Sequence, residues 1–510
     1  MKTRKKIVGL LLAVFMLLAL VPTGAGAAPP DTGSLVIHKY VMPDKSTANI
    51  PGDGTTNVTI PSGAQALDGI TFNLYKVTIG SDGIYPSSVG PWTPDSMTAP
   101  TQITDSTGKV FAVTAATPAS VTTAGGGLAT TPQMPKGVYL VIEQASPLVT
   151  SAADPFVVAL PMTNPAGDGF LDPAHVFPKN EKVTVTKKIT QDALTIGDIA
   201  HFTITVGIPS DIAKDTNVKI TDILPTALAG STVTVDSVIA SMDAAGTVSP
   251  TPLTSPEYTL ATVGQTATIS LNNASGSTGL TKLSAARYLT VQLSAKVTST
   301  LATGVTASNT ATLSFNDKNG DPKTVTSDPA TFHTGTIVIN KVDARTNAAL
   351  PGAQFKIASS PANAAAKQFL RIDASGNILD TTDTGYSTAT DWMGTTAGAA
   401  TTFAGIADYT VGADGVTKTY LKYYVVETQA PASYNLLTDP IEVAFTAANS
   451  TAATDYTVTQ PVVNNKGFIL PLTGDAGILV FTVAGVALIG VAILVVVSSR
   501  KRKGAENAAK

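Results

Sequence analysis

Three lysines in this sequence fall in phase with apolar neighbours. In Ser34-Leu35-Val36-Ile37-His38-Lys39-Tyr40, Val183-Thr184-Val185-Thr186-Lys187-Lys188-Ile189 and Thr336-Ile337-Val338-Ile339-Asn340-Lys341-Val342, apolar side chains recur every second residue. Residues i and i+2 of a strand share a face. Lys39 therefore points with Leu35 and Ile37, Lys187 with Val183 and Val185, and Lys341 with Ile337 and Ile339. A single such lysine reads as a strand end whose ammonium reaches back to water. Three repeats point instead to lysines buried with partners, because lysine is almost never fully buried unless paired. Carboxylates recur in the same way: Glu143 with Tyr139 and Val141, Asp222 with Val218, Ile220 and Leu224, Glu427 with Tyr423 and Val425. Asparagines do too: Asn309 with Val305, Ala307, Ala311 and Leu313, and Asn464 with Val462.

Buried together, these groups suit one reaction. Desolvation lowers a lysine pKa and raises that of a carboxyl group. A neutral amine is a nucleophile. A neutral carboxylic acid can donate a hydrogen bond to the asparagine side-chain carbonyl and polarise it. Attack then releases ammonia and leaves a Lys–Asn isopeptide bond. Proximity supplied by the fold is sufficient, so no cofactor and no metal is expected. The chain has no cysteine, which excludes disulfides, thiolate metal sites and cysteine nucleophiles. An amide cross-link would take the place of the disulfides that a secreted protein commonly uses.

The elements that must position these groups are β-strands. Segments rich in Val, Ile and Thr alternate between Gly, Pro, Asn and Asp turns, without an amphipathic helix longer than about two turns. This is the pattern of antiparallel sandwiches. The three lysine-bearing openings start about 150 residues apart, so each begins one of three β modules. The 510 residues are 44% hydrophobic, only 14% charged, and carry a formal net charge of −3. That balance argues against a nucleic-acid binder or a polybasic membrane-surface protein. The four histidines are dispersed, and neither a Ser–His–Asp arrangement nor a phosphate loop is legible. Asp317, Asn319 and Asp321 lack the distal glutamate of a calcium loop and read as a polar hairpin turn.

The two ends indicate location. Residues 1–6 are basic, Ile7 to Leu20 is apolar, and Ala25-Gly26-Ala27 supplies small residues for cleavage, which is the form of a secretory signal peptide. Ala476 to Val497 is a 22-residue apolar run followed by Arg500-Lys501-Arg502-Lys503, which is long enough to span a bilayer with its basic end in the cytoplasm. Just before it, Leu470-Pro471-Leu472-Thr473-Gly474 resembles the LPxTG sorting motif of Gram-positive surface proteins. That resemblance implies cleavage by a sortase between Thr473 and Gly474, with the helix as a temporary membrane anchor.

With two further motifs the whole chain resembles the major backbone subunits of sortase-assembled Gram-positive pili. Tyr424-Val425-Val426-Glu427-Thr428-Gln429-Ala430-Pro431 resembles the pilin E-box, with Glu427 as its glutamate. His175-Val176-Phe177-Pro178-Lys179-Asn180 resembles the pilin motif, with Phe177, Phe170 and Ala174 where tyrosine, tryptophan and valine are usual. The resemblance implies an all-β chain of three tandem immunoglobulin-like (Cna-type) sandwich domains. Its parts would be a signal peptide (1–27), an N-terminal β domain ending in the pilin motif (28–180), a CnaA-like middle domain (181–333), a CnaB-like C-terminal domain (334–469) and the sorting signal (470–510).

The resemblance also implies that Lys179 joins the Thr473 carboxyl of a neighbouring subunit. Expected partners are identical subunits, pilus and housekeeping sortases, tip and base pilins, and peptidoglycan. The product is a covalent, adhesive cell-surface fibre and not an enzyme; the alternative is a non-polymerised wall-anchored adhesin or minor pilin. Isopeptide bonds are expected for Lys187 and Asn309 with Asp222 as the promoting acid, and for Lys341 and Asn464 with Glu427. Asn465 is the alternative acceptor, Lys188 the alternative amine, and Asp198 a weaker acid more suited to a turn. Lys39 and Glu143 lack a clear closing asparagine, since Asn180 adjoins a lysine that must stay accessible. No cross-link is expected there.

Overall fold

The computed structural model describes residues 29–42, 52–61, 63–146, 148–150, 152–298, 306–318, 320–398, 400–467 and 475–506. The signal peptide and Leu470 to Gly474 lie outside the described residues. Every strand pairing falls within one of three consecutive stretches of chain, each opened by one of the lysine-bearing strands.

In the first stretch a six-stranded sheet has Gly137–Glu143 second from one edge, between Phe156–Leu160 and Thr71–Val77. This strand is a continuous apolar run because both its faces are covered. Tyr139 and Val141 pack under Leu35, Ile37 and Phe72, while Val138, Leu140 and Ile142 pack with Ile103 and Phe111 on the other side. The opening strand is broken at Lys39. Leu35–His38 pairs in parallel with Ala174–Val176, and Tyr40–Met42 pairs in parallel with Lys179–Glu181.

The middle stretch is a sandwich of two five-stranded antiparallel sheets. Val185–Ile189 is the edge of one, beside Ile199–Gly207. Thr216–Ile223 is central in the other, between Thr266–Leu271 and Ala311–Asn316. A two-turn helix, Thr278–Ala285, is capped by the Ser277 side chain, which accepts from the Leu280 N–H. In the third stretch Gly335–Asp343 lies between Ala400–Ile406, antiparallel, and Thr457–Asn464, parallel over eight residue pairs.

The opening and closing strands of the first and third stretches are thus parallel neighbours, where a wholly antiparallel arrangement was expected. Period-two alternation is the same in either pairing, so the sequence pattern could not separate them. The C-terminal helix runs Asp475–Glu506, and its Val480–Lys501 portion is long and apolar enough to cross a membrane.

The two joints between stretches differ. One hydrophobic cluster runs without interruption from Val183 to Val462, so the middle and C-terminal stretches share a core. Backbone bonds reinforce it: Ile196 N–H donates to the Gly405 carbonyl (2.8 Å) and Ile378 N–H to the Ile196 carbonyl (2.9 Å). His333, buried there, stacks on Tyr456 and pairs with buried Asp408 (3.0 Å).

The joint between the first and middle stretches is polar. Lys318 bridges to Asp154, and the Ser210 N–H donates to Glu181 (2.8 Å). Asp215 is buried beside it. Burial, with the like charges of Asp211, Asp317 and Glu181, pushes its carboxyl up to about 7, and Lys318 only partly offsets this. The folded chain therefore keeps a proton on Asp215 that the unfolded chain, at about 3.9, has released. Its contribution to stability is present at low pH and is lost as pH rises between those two values. Asp215→Asn should accordingly stabilise the chain by about 1–2 kcal/mol at pH 8 and leave it unchanged near pH 4. Denaturant unfolding at the two pH values checks this.

Candidate functional site

The middle stretch brings Lys187, Asp222 and Asn309 together in the sandwich interior. Alternation turns Lys187 inward and leaves Lys188 exposed. Asp222 is opposite Ala311 in the ladder, two residues from Asn309 on the same strand face. Lys187 Nζ donates to Asp222 Oδ2, and the ammonium also lies 4.8 Å from the centroid of the Phe202 ring. Asp222 and Asn309 are fully buried. Burial pushes the Lys187 pKa down, and Asp222 opposes this. Burial pushes the Asp222 carboxyl up, against the pull of Lys187 and Asn309. Asn309 feels Asp222 electrostatically, yet neither polar atom of its carboxamide makes a hydrogen bond of regular geometry. A buried carboxamide left so costs roughly 1–3 kcal/mol.

In the C-terminal stretch the parallel register sets Lys341 opposite Val462 and Asp343 opposite Asn464. Lys341 and Asn464 are fully buried, and Glu427 nearly so. Asn464 Nδ2 donates to both Glu427 oxygens (2.9 Å each) and to the Asn435 carbonyl (2.9 Å), while the Leu437 N–H donates to Glu427 (2.9 Å). Lys341 Nζ donates to the Val462 carbonyl (3.0 Å). Its pKa is lowered by burial and partly restored by Glu427. Asn464 Oδ1 is buried and makes no hydrogen bond. Asn465 is exposed.

The N-terminal stretch corrects the sequence reading. Lys39 Nζ donates to Glu143 Oε2 (2.6 Å) and to Asn180 Oδ1 (2.6 Å), and Asn180 Nδ2 donates to Glu143 Oε1. Lys39 is fully buried; burial lowers its pKa and Glu143 opposes this. Asn180 closes the third set because adjacent strand residues face opposite ways. It turns inward while Lys179 turns outward on the same strand, so an accessible Lys179 and a buried Asn180 are compatible. The alternation rule that located Lys39 would have found Asn180 as well. Lys179 is half-buried, and burial draws its pKa down against Glu181.

Asp198 accepts from the Thr195 N–H (2.7 Å) and serves a turn. Asp317 accepts from the Asp321 N–H (3.0 Å) in a hairpin turn. Among the described residues no group of three His, Asp or Glu side chains is placed to hold a metal ion. Thr473 and the rest of the pentapeptide lie outside the described residues.

Comparison with known proteins agrees in order along the chain. Residues 30–181 match the N-terminal domain of Gram-positive pilin subunits, 335–460 a prealbumin-like fold domain, and 462–505 an LPXTG cell wall anchor motif. Fimbrial subunit type 1 of Actinomyces viscosus is 29% identical over 98% of both chains. Fimbrial subunit type 2 of Actinomyces naeslundii is 29% identical over 93% of this chain and 91% of its own. The full-length major pilin SpaD of Corynebacterium diphtheriae has the same fold, with a TM-score of 0.56 and 21% identity over 86% of this chain and 98% of its own. A pilin domain, a prealbumin-like domain and a wall anchor in that order, with fimbrial relatives aligned nearly end to end, support a sortase-polymerised backbone subunit of a wall-anchored surface pilus.

Proposed function

We propose that successive copies of this chain are joined by an amide between the Lys179 amine of one and the Thr473 carboxyl of the next, and that each copy carries three internal Lys–Asn isopeptide bonds. The observation that carries the reading is the threefold recurrence of a buried lysine, acid and asparagine. In two of the three stretches the set spans the opening and closing strands. Three tandem domains are the natural units of this reading, with approximate spans 28–180, 181–333 and 334–469.

Within each domain the lysine Nζ attacks the asparagine Cγ. The new C–N bond forms as the bond to Nδ2 breaks, and the amide nitrogen leaves as ammonia. The acid (Glu143, Asp222 or Glu427) polarises the carbonyl when protonated and relays the proton that the leaving nitrogen takes up. Each bond forms once, so these residues turn over no substrate, and the chain is a structural polymer subunit and not an enzyme. Between subunits, the Lys179 amine displaces the sortase from the Thr473 carbonyl. Identical subunits, pilus and housekeeping sortases, tip and base pilins, and finally peptidoglycan are the partners this chemistry calls for. Each internal bond closes a loop enclosing most of a domain and should be worth about 4–5 kcal/mol in the chain-entropy picture.

The intact mass of the mature chain should lie about 51 Da below the sequence mass, about 17 Da for each ammonia lost. Glu143→Ala, Asp222→Ala and Glu427→Ala should each restore about 17 Da and lower the thermal midpoint. A full sequence mass in the wild type would refute the internal bonds.

For the intersubunit joint, denaturing immunoblots of wall extracts should show a ladder of very large species that collapses to monomer in Lys179→Ala. Monomer in both strains would favour a singly anchored adhesin or minor pilin. A ladder in the mutant would move the joint to another lysine.

A further inference from the structure

Two histidines that the internal bonds do not use lie beside the pilin lysine. His38 and His175 sit on the parallel strands Leu35–His38 and Ala174–Val176, where His175 is opposite Val36 and Val176 opposite Ile37. His38 Nε2 and His175 Nδ1 are 2.8 Å apart. The His38 ring also stacks on Phe177, with centroids 4.6 Å apart and planes inclined by 19°. Phe177 is followed by Pro178, whose carbonyl accepts from the Tyr40 N–H (3.2 Å), and then by Lys179. His38, Phe177 and Lys179 thus run along the outer face of the two strands, opposite the buried Lys39, Glu143 and Asn180.

A hydrogen bond between two imidazoles needs one unprotonated nitrogen as acceptor. The pair holds with both rings neutral or with one extra proton. With both rings protonated the acceptor is gone and two like charges face each other. Few neighbouring charges can compensate. Asp53, in the loop whose Gly54 carbonyl accepts from the His175 N–H, is engaged by Thr55. Asp172 is held at the far strand end by Ser34 and Gln133. Lys39 turns to the other face, and Lys179 and Glu181 lie further along the closing strand. Burial lowers both histidines below their ordinary value, and His175 lowers His38 further.

We propose that the His38–His175 pair is an acid-sensitive positioning device for Lys179. Intact, it holds His38 against Phe177 and so fixes the Phe177-Pro178 approach to the lysine. Double protonation in acid breaks it and slows subunit joining. The inference rests on Lys179 being the joining amine. His38 and His175 act through Phe177 and touch no reacting atom.

The test follows ladder growth in cells moved to buffers from pH 5 to pH 8, for wild type, His38→Gln, His175→Gln and Lys179→Ala. Glutamine can hydrogen-bond but does not titrate, and any pH dependence of the sortase cancels in the ratio of variant to wild type. The ratio should rise roughly fivefold from pH 8 to pH 5, the population weight of one net hydrogen bond. A ratio flat with pH, with Lys179→Ala giving no ladder, overturns this proposal and leaves the Lys179 joint standing. A ladder in Lys179→Ala overturns both.

A measurement on the wild-type chain guards against variants that fold poorly. With only four histidines in the sequence, selective histidine labelling gives a readable NMR titration. Two imidazoles should titrate in coupled steps together with the Phe177 ring signals, and independent titration without a Phe177 response would overturn the proposal.

Discussion

Everything in this chain depends on how a lysine amine is kept away from water. An ammonium ion among apolar side chains is costly, and a protein interior meets that cost by pairing it, by neutralising it or by consuming it. Lys39, Lys187 and Lys341 are each buried on the inner face of an opening strand. Burial pushes every one of them toward the neutral amine, and an adjacent carboxylate opposes it. As ion pairs alone these would be weak supports, since desolvation of two charges commonly cancels their attraction. An amide bond between Lys187 and Asn309 would remove the amine charge and, with it, a buried carboxamide that makes no hydrogen bond of regular geometry.

The strand order follows from the same requirement. Joining opening to closing strand requires the two to be near neighbours in space. In the first and third stretches the chain achieves this with parallel pairing. In the middle stretch the lysine lies on an edge strand of one sheet, the acid on the central strand of the facing sheet, and the asparagine at the end of the short strand Ala307–Asn309 that precedes Ala311–Asn316. Two geometries would thus serve the one proposed chemistry.

Much of this was legible because it depends on period two. Alternation picked out Lys39, Lys187 and Lys341, the acids Glu143, Asp222 and Glu427, and the acceptors Asn309 and Asn464. It also turned Lys188 outward, but it left the choice between Asn464 and Asn465 open, and the structure leaves Asn465 exposed. What it could not reveal was strand direction, since parallel and antiparallel strands alternate alike. Asn180 was missed for a different reason. Its neighbour Lys179 must be reachable, and that need was extended to the whole segment, although one residue along a strand is a change of face. The His38–His175 contact joins residues far apart in sequence on two half-buried positions, and no local pattern marks it. The unequal joints are equally non-local: the cluster from Val183 to Val462 and the carboxylates around Asp215 are assembled from segments that carry no shared signature.

The adjacency of Lys179 and Asn180 has a mechanical consequence in a fibre joined through Lys179 and Thr473. Tension enters a subunit at the Lys179 side chain and leaves at Thr473, so it runs forward from residue 179, and the preceding residues hang beside the line of force. The middle and C-terminal stretches lie in that line. There, bonds from Lys187 to Asn309 and from Lys341 to Asn464 would divert load from the sheet hydrogen bonds, and the shared core keeps the two stretches from being pulled apart. A Lys39–Asn180 bond would carry no share of the through-load. Its place is one residue beyond the point where a neighbour pulls outward on the Lys179–Glu181 strand, whose short ladder to Tyr40–Met42 would otherwise peel. Inward and outward alternation on one strand thus allows the residue that receives the load and the residue that resists peeling to be consecutive.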